Sequence, residues 1–252
     1  MGNIKLMFGD CLKRMEEIEN KSIDMVLCDL PYGITASKWD KIIDFTRLWE
    51  EYKRVIKPSA PILLFSSGSF TYKLINSNYD MYRYKWVWIK NNKSNFVNAK
   101  NRPMTQYEEI CVFSFATTAN GSKNKMFYNP QGLKEVDIKV NCGNSFGTIA
   151  GKRPSHKESI HRRFTNYPAD VLYFESDKER CHTNQKPIKL CEYLIKTYTN
   201  EGGLVLDNCM GSGTTGVACV NTSRRFIGME NNKEYYKMAK GRIKKAYDNI
   251  RD

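Results

Sequence analysis

Apolar residues in this chain fall in short β-branched runs separated by stretches with helical spacing. That alternation is expected of a sheet covered by helices. Ile4, Leu6 and Phe8 predict a first strand closed by Gly9-Asp10, and Leu12, Met15 and Ile18 predict a helix after it. A buried strand is expected at residues 23–28, followed by the turn Leu30-Pro31-Tyr32-Gly33. A polar stretch then leads to an amphipathic helix carrying Ile42, Phe45, Leu48, Trp49, Tyr52, Val55 and Ile56, which Lys57-Pro58 ends. Further strands are predicted at 61–65, 84–89 and 109–115, with a helix around 72–75.

From about residue 116 to 177 the pattern weakens, and Gly, Asn and polar residues dominate. A stretch this long without strong periodicity reads as a functional insertion. Order returns at 171–174 and continues into a helix carrying Leu190, Tyr193, Leu194 and Tyr198, with Pro187 at its first turn. Strands at 203–207 and 225–230 flank a short helix at 215–220. A basic final helix carries Tyr235, Ala239, Ile243, Ala246 and Ile250 on one face.

Composition narrows the classes. The chain has 252 residues and is 41% hydrophobic, enough for one large α/β domain or one domain with an inserted module. No stretch resembles a transmembrane helix, and the N-terminus carries neither a signal-peptide core nor a myristoylation pattern. Eight cysteines without a C-x-x-C pair indicate neither a zinc site nor a disulfide framework, and no metal is expected. Cys28, Cys111, Cys191 and Cys219 lie in apolar runs and are expected to pack as small hydrophobes in a reducing cytoplasm. The net charge of +13 favours a polyanionic partner. Within the weak stretch, Lys152, Arg153, Lys157, Arg162 and Arg163 form a cationic run suited to phosphate contacts, or a solvated surface loop.

Two constellations carry chemistry. The first is Asp29-Leu30-Pro31-Tyr32, placed at the carboxyl end of a strand, where ligands bind in open α/β sheets. Pro31 forces Leu30 to be extended, so the Leu30 carbonyl and the Asp29 carboxylate offer two adjacent acceptors beside the flat Tyr32 ring. That set suits a planar ring bearing an exocyclic amino group. Taken alone, the same residues could be only a turn. The second is a strand ending in Asp207, followed by Cys209, Gly211, Gly213, Thr214 and a helix, with Glu230 ending the next strand 23 positions on. The glycines allow close backbone approach, the helix N-terminus favours negative charge, and Glu230 suits ribose hydroxyls. The dinucleotide fingerprint is not fully matched, which leaves an NAD enzyme open at this point, and no P-loop is present.

Together these blocks resemble the β arrangement of S-adenosylmethionine-dependent DNA amino-methyltransferases. In that family an Asp/Asn/Ser-Pro-Pro-Tyr block precedes the target-recognition region and the cofactor block comes last. Gly9-Asp10-Cys11, the 98–103 and 108–110 stretches, and His182-Thr183-Asn184-Gln185-Lys186-Pro187 resemble further family blocks. Leu30, Asn184, Asn208 and Cys209 depart from the family's usual Pro, Thr, Pro and Phe.

The resemblance implies a Rossmann-like, seven-stranded, circularly permuted methyltransferase sheet with an inserted target-recognition region. The catalytic half would span 1–115, the insertion 116–180 and the cofactor half 181–252. It implies that strands 23–28 and 203–207 are central neighbours. It also implies methyl transfer from S-adenosylmethionine to a flipped adenine N6 in double-stranded DNA, with Asp29, Leu30, Pro31 and Tyr32 catalytic. Cytosine N4 and RNA adenine N6 are the alternative targets, and a catalytically silent DNA-binding subunit is a third reading. For the cofactor, Glu230 would take the ribose. Asp207, Cys209, Gly211, Gly213 and Thr214 would line the methionine side, Lys186 would meet its carboxylate, and Asp10 the adenine edge. A homodimer and a cognate restriction enzyme are partners the resemblance leaves open, in a bacterial or phage-encoded cytoplasmic protein.

Overall fold

The computed structural model describes residues 3–33, 40–141, 159–177 and 185–250. The chain divides into two compact units, Met1–Asn129 with Asp170–Asp252, and Pro130–Ala169. The larger unit is built on an eight-stranded sheet. Its strands are β1 (Ile4–Phe8), β2 (Met25–Cys28), β3 (Ile62–Ser66), β4 (Tyr82–Ser94), β5 (Thr105–Phe113), β8 (Val171–Tyr173), β9 (Leu204–Asp207) and β10 (Arg225–Glu230). Across the sheet they run β1-β10-β9-β2-β3-β5-β4-β8. The first five in that order pair in parallel, while β5 runs antiparallel to both β3 and β4.

Strands β2 and β3 are buried on both faces, which explains their continuous apolar runs. Their side chains alternate between two cores, as a period of two requires. Val26, Cys28, Ile62 and Leu64 pack with Met15 of α1 (Cys11–Met15), with Leu48 and Tyr52 of α2 (Phe45–Val55), and with Phe70 of α3 (Ser69–Ser77). Met25, Leu27, Leu63 and Phe65 turn the other way. They meet Leu194 of α4 (Ile188–Tyr198), Val217 of α5 (Thr214–Asn221) and Ile243 of α6 (Lys233–Asp248). Three helices thus cover each face.

Several expectations shift. The helix after β1 is only five residues long, because Arg54 of α2 donates to the carbonyls of Met15 and Ile18 and so closes the chain just past it. Asp44 caps α2 by accepting from the Thr46 and Arg47 N–H groups, so Ile42 stands outside the helix. Ile250 lies beyond α6 and is exposed, whereas Ala239 and Ile243 are fully buried. An eighth strand, β8, joins the sheet edge by pairing Val171 with Val87 and Leu172 with Trp88.

The smaller compact unit, Pro130–Ala169, covers part of the 116–180 stretch expected as an insertion. Met126 is buried, the Phe127 N–H donates to the Ser59 carbonyl, and the Asn129 N–H donates to the Thr197 carbonyl. These contacts tie 116–129 to the larger unit. The smaller unit contains an antiparallel pair, β6 (Lys134–Asn141) and β7 (Ser159–Thr165). Val136, Ile138 and Val140 carry the period-two alternation for it, a signal masked by the charges between them.

Gly213 makes a direct test of packing. Its φ is 82°, and an added Cβ would lie 2.8 Å from the Ala239 Cβ of α6. Gly121 has a matching φ of 84° with nothing within 4 Å. Each Gly→Ala change costs roughly 1–2 kcal/mol for the left-handed conformation. Gly213→Ala should cost at least about 1 kcal/mol more than Gly121→Ala in urea unfolding, because the α5–α6 contact must open. Equal losses would show that the close approach does not constrain the fold.

Candidate active site

Asp29 leaves the carboxyl end of β2 and Asp207 ends the adjacent parallel strand β9, with Met25 opposite Val205 and Val26 opposite Leu206. Residues 178 positions apart in the chain are thereby brought to one edge of the sheet, where the strand order reverses. The Leu30 side chain is buried in the core, which leaves its backbone as the part available for chemistry. The Tyr32 hydroxyl donates to Asp29 Oδ1 at 2.9 Å, and its ring stacks on Phe70 at 4.6 Å between centroids. One face of Tyr32 is therefore covered by α3.

The other Asp29 oxygen meets Lys186. The buried ammonium lies 2.8 Å from Asp29 Oδ2 and 2.8 Å from Glu108 Oε2, and sits 5.1 Å from the centre of the Phe65 ring. Lys90 reaches Glu108 Oε1 at 3.2 Å. The Lys186–Glu108 contact is ionic rather than an aligned hydrogen bond, so Oε2 has no aligned donor among the described residues. Burial pushes Asp29 up from the ordinary carboxylate range, against the pull of Lys186, and Glu108 pushes it further. Glu108 is also penalised by burial, but Lys186 and Lys90 together hold it below its usual value. Burial acts to lower Lys186, and the two carboxylates reverse that and raise it. The result is a half-buried chain of two carboxylates and two lysines.

Lys186 was expected against a cofactor carboxylate; here its charge is directed at Asp29. Glu108, which composition and spacing did not single out, completes the arrangement. Its signal was an acid in strand position two residues ahead of the apolar run Ile110-Cys111-Val112-Phe113. Asp177 accepts from the Gln185 side chain at 2.9 Å and from the Ile188 N–H, which anchors the start of α4 just after Lys186.

The second constellation is equally ordered. The Gly213 N–H donates to the Met210 carbonyl at 2.7 Å, and Arg242 of α6 donates to the Ser212 carbonyl and hydroxyl at 2.7 and 2.8 Å. Thr214 opens α5 and is buried. Glu230 accepts from the Gly211 N–H at 2.9 Å and from the Asn232 N–H at 2.7 Å, so each oxygen keeps lone-pair capacity for a hydroxyl donor. Burial raises its pKa, and these backbone donors limit the rise. Asp207 is pushed up to about 7 by burial, against hydrogen bonds from the Thr215 side chain, the Cys209 N–H and the Cys28 thiol. The Gly9 N–H donates to the Glu230 carbonyl, which brings Asp10 to the same edge. Asp10 is exposed and caps α1 by accepting from the Lys13 N–H at 3.2 Å.

Cys209 joins a thiol cluster with Cys11 and Cys28. Cys28 is pushed up to about 12 by burial, and Cys11 is raised by its contact with Cys209 and by burial. The three behave as small neutral groups, packed between β2 and the Asn208–Gly211 turn. Tyr52 donates to Asn208 Oδ1 at 2.6 Å and fixes that turn against α2.

Of the cationic run, Lys152, Arg153 and Lys157 lie outside the described residues, as do His182, Thr183 and Asn184. Arg162 and Arg163 are exposed neighbours on β7 and so project to opposite faces of the ribbon. They do not form one continuous phosphate track. His161 Nε2 contacts the Asp137 carboxylate across β6 and β7.

Comparison with known proteins gives the same picture at the level of fold and sequence. Over 97% of its length the chain is 26% identical to the type II methyltransferase M.HpaI of Haemophilus parainfluenzae, covering 75% of that protein. It is 26% identical to the DNA adenine methyltransferase YhdJ of Escherichia coli K12, across 94% of this chain and 82% of that one. Among solved structures, the cytosine-N4-specific PvuII DNA methyltransferase superposes with a TM-score of 0.70 at 16% identity, covering 98% of this chain and 92% of that chain. The M1.HpyAVI–SAM complex superposes with a TM-score of 0.62 at 23% identity, covering 95% and 99%. A family model described as DNA methylase matches residues 23–241, which include both constellations, and the chain belongs to that family.

Proposed function

We propose that this DNA methyltransferase transfers a methyl group from S-adenosylmethionine to the N6 amino group of an adenine flipped out of duplex DNA. The observation that carries this reading is Asp29. It is a carboxylate rather than a serine at the head of the Leu30-Pro31-Tyr32 turn, oriented by Tyr32 and Lys186 and facing Asp207 across the switch point.

The residues at the second constellation fit the cofactor. Two positive-φ glycines open the turn before α5, and Glu230 retains acceptor capacity for ribose hydroxyls. Asp207 and Asp29, when ionised, would supply negative charge favourable to a sulfonium. When bound, S-adenosylmethionine supplies an electrophilic methyl group. Asp10 is free to meet an adenine edge only beyond its capping bond, and Lys186 would have to share itself between Asp29 and a cofactor carboxylate.

The chain's own contribution is to the amine. Adenine N6 donates its lone pair into the ring and is a poor nucleophile until that conjugation weakens. The Asp29 carboxylate and the Leu30 carbonyl would each accept a hydrogen bond from one N6–H and hold the amine where its lone pair points at the methyl group. Asp29 would also stabilise positive charge developing on nitrogen. A carboxylate has about four lone-pair positions, so Tyr32 and Lys186 do not exhaust it. The face of Tyr32 away from Phe70 would stack on the base, which must leave the duplex to reach the site. Positioning then supplies much of the rate. No nucleophilic cysteine is needed, in keeping with three thiols that stay protonated.

This mechanism needs Asp29 ionised, and its neighbours act on it with opposite sign. Lys186 lowers the Asp29 pKa and Glu108 raises it. Activity should rise with pH as Asp29 loses its proton. Lys186→Gln should therefore move the acid limb of the kcat/KM profile to higher pH, and Glu108→Gln should move it to lower pH. Limbs that stay fixed, or that move together, would remove Asp29 as the titrating group. The base itself is read by incubating purified protein with methyl-labelled S-adenosylmethionine and unmethylated genomic DNA, then digesting to nucleosides. N6-methyladenine is expected; label in N4-methylcytosine would assign the same geometry to cytosine.

A further inference from the structure

The tip of the β4–β5 hairpin is used by nothing described so far. Strands β3 and β4 both run antiparallel to β5, so β4 ends at the same sheet edge as β2. Glu108 sits on β5 within the Asp29 network, and the connection between the strands lies beyond it, starting three residues from Glu108 at Thr105. At about 3.3 Å per residue, the hairpin projects roughly 10 Å past Glu108 before its tip is reached.

The tip is a single 3-10 turn, Phe96–Asn98, in which Phe96 is 80% and Val97 94% exposed. A large apolar pair so fully in water at a projecting point is unusual among the chain's apolar residues. The turn is not loose. Asn95 adopts a φ of 68° and donates to Thr105 Oγ1 at 2.9 Å, Ser94 donates to the Thr105 carbonyl, and the Ala99 and Arg102 N–H groups donate back to Phe96 and Asn98. Flanking the pair are exposed Lys93, Lys100 and Arg102, with no acidic residue between 92 and 103. A rigid apolar point ringed by cations and asparagines is complementary to a stacked, polyanionic duplex: the cations meet phosphates and the apolar pair enters between bases.

We propose that Phe96 and Val97 form a wedge that enters the duplex and occupies the stack position left by the flipped base. This rests on the DNA-methylation reading above. The hairpin holds extrusion in place, while Asp29 and Tyr32 receive the base.

The test is single-turnover methylation of oligonucleotide duplexes carrying the mapped target site, with the target adenine opposite either thymine or an abasic position. With thymine opposite, Phe96→Ala/Val97→Ala should be slower than wild type by about tenfold or more, because unstacking is no longer compensated. With an abasic partner, where extrusion is easier, the variant should come within about threefold of wild type. Phe96→Leu should keep most of the duplex rate, since it keeps an apolar wedge. Wild-type rates for the double variant on the paired duplex would overturn the proposal, as would an equal loss on both substrates. A lower molecular mass for the variant in sedimentation, with unchanged chemistry, would assign the tip to a second copy of the chain and also overturn it. No methyl transfer by the wild type to either duplex would instead overturn the underlying reading, and the wedge with it.

Discussion

The Lys186 ammonium, buried between Asp29 and Glu108, is the contact on which the catalytic geometry depends. It joins three segments that the chain keeps far apart: the turn after β2, the strand β5, and the segment leading into α4. Two carboxylates buried this close would not both ionise without a cation, and a buried lysine without carboxylates would tend to lose its proton. Lys186 pulls both carboxylates toward the ionised form, and they hold its own proton. Removing any one leaves an uncompensated charge in the interior, which is far costlier than the pair is stabilising. The arrangement therefore fixes the Asp29 carboxylate in place, and Lys186 opposes the rise in its pKa that burial and Glu108 impose.

The sheet determines where those charges meet. Parallel pairing of β2 with β9 puts Asp29 and Asp207 at one edge, and parallel pairing of β10 with β9 brings Glu230 alongside. The antiparallel insertion of β5 beside β3 returns Glu108 to that edge from the opposite chain direction. Helix α6 then packs so tightly on the glycine turn that Gly213 has no room for a side chain. Fold and site are held by the same contacts, so strain in one reaches the other.

Much of this was legible in the sequence, for physical reasons that differ by element. Runs such as Ile62-Leu63-Leu64-Phe65 are apolar on both faces because helices cover both, and periodicity reports that directly. Asp29, Asp207 and Glu230 were readable because each follows a buried strand and precedes a turn. The Lys186–Asp29 pairing was not, since local pattern carries no information on which distant charges share a cavity. Glu108 lay in a stretch that the resemblance marked, but its contact with Lys186 was not readable for the same reason. The β6–β7 ribbon was missed because its exposed face alternates weakly between Lys, Glu and Asp. Of the cationic run, only Arg162 and Arg163 fall among the described residues, on opposite sides of a strand.

The central claim is that Asp29 performs the chemistry and is not needed to hold the cofactor. Base-resolution methylation mapping of DNA from cells expressing the wild type or Asp29→Ala, paired with calorimetric S-adenosylmethionine binding to both purified proteins, tests it most directly. The account predicts N6-methyladenine at one short motif in the wild type, no mark with the variant, and cofactor affinity retained by both. A mark that persists with Asp29→Ala, or a variant that fails only because it no longer binds the cofactor, would contradict it.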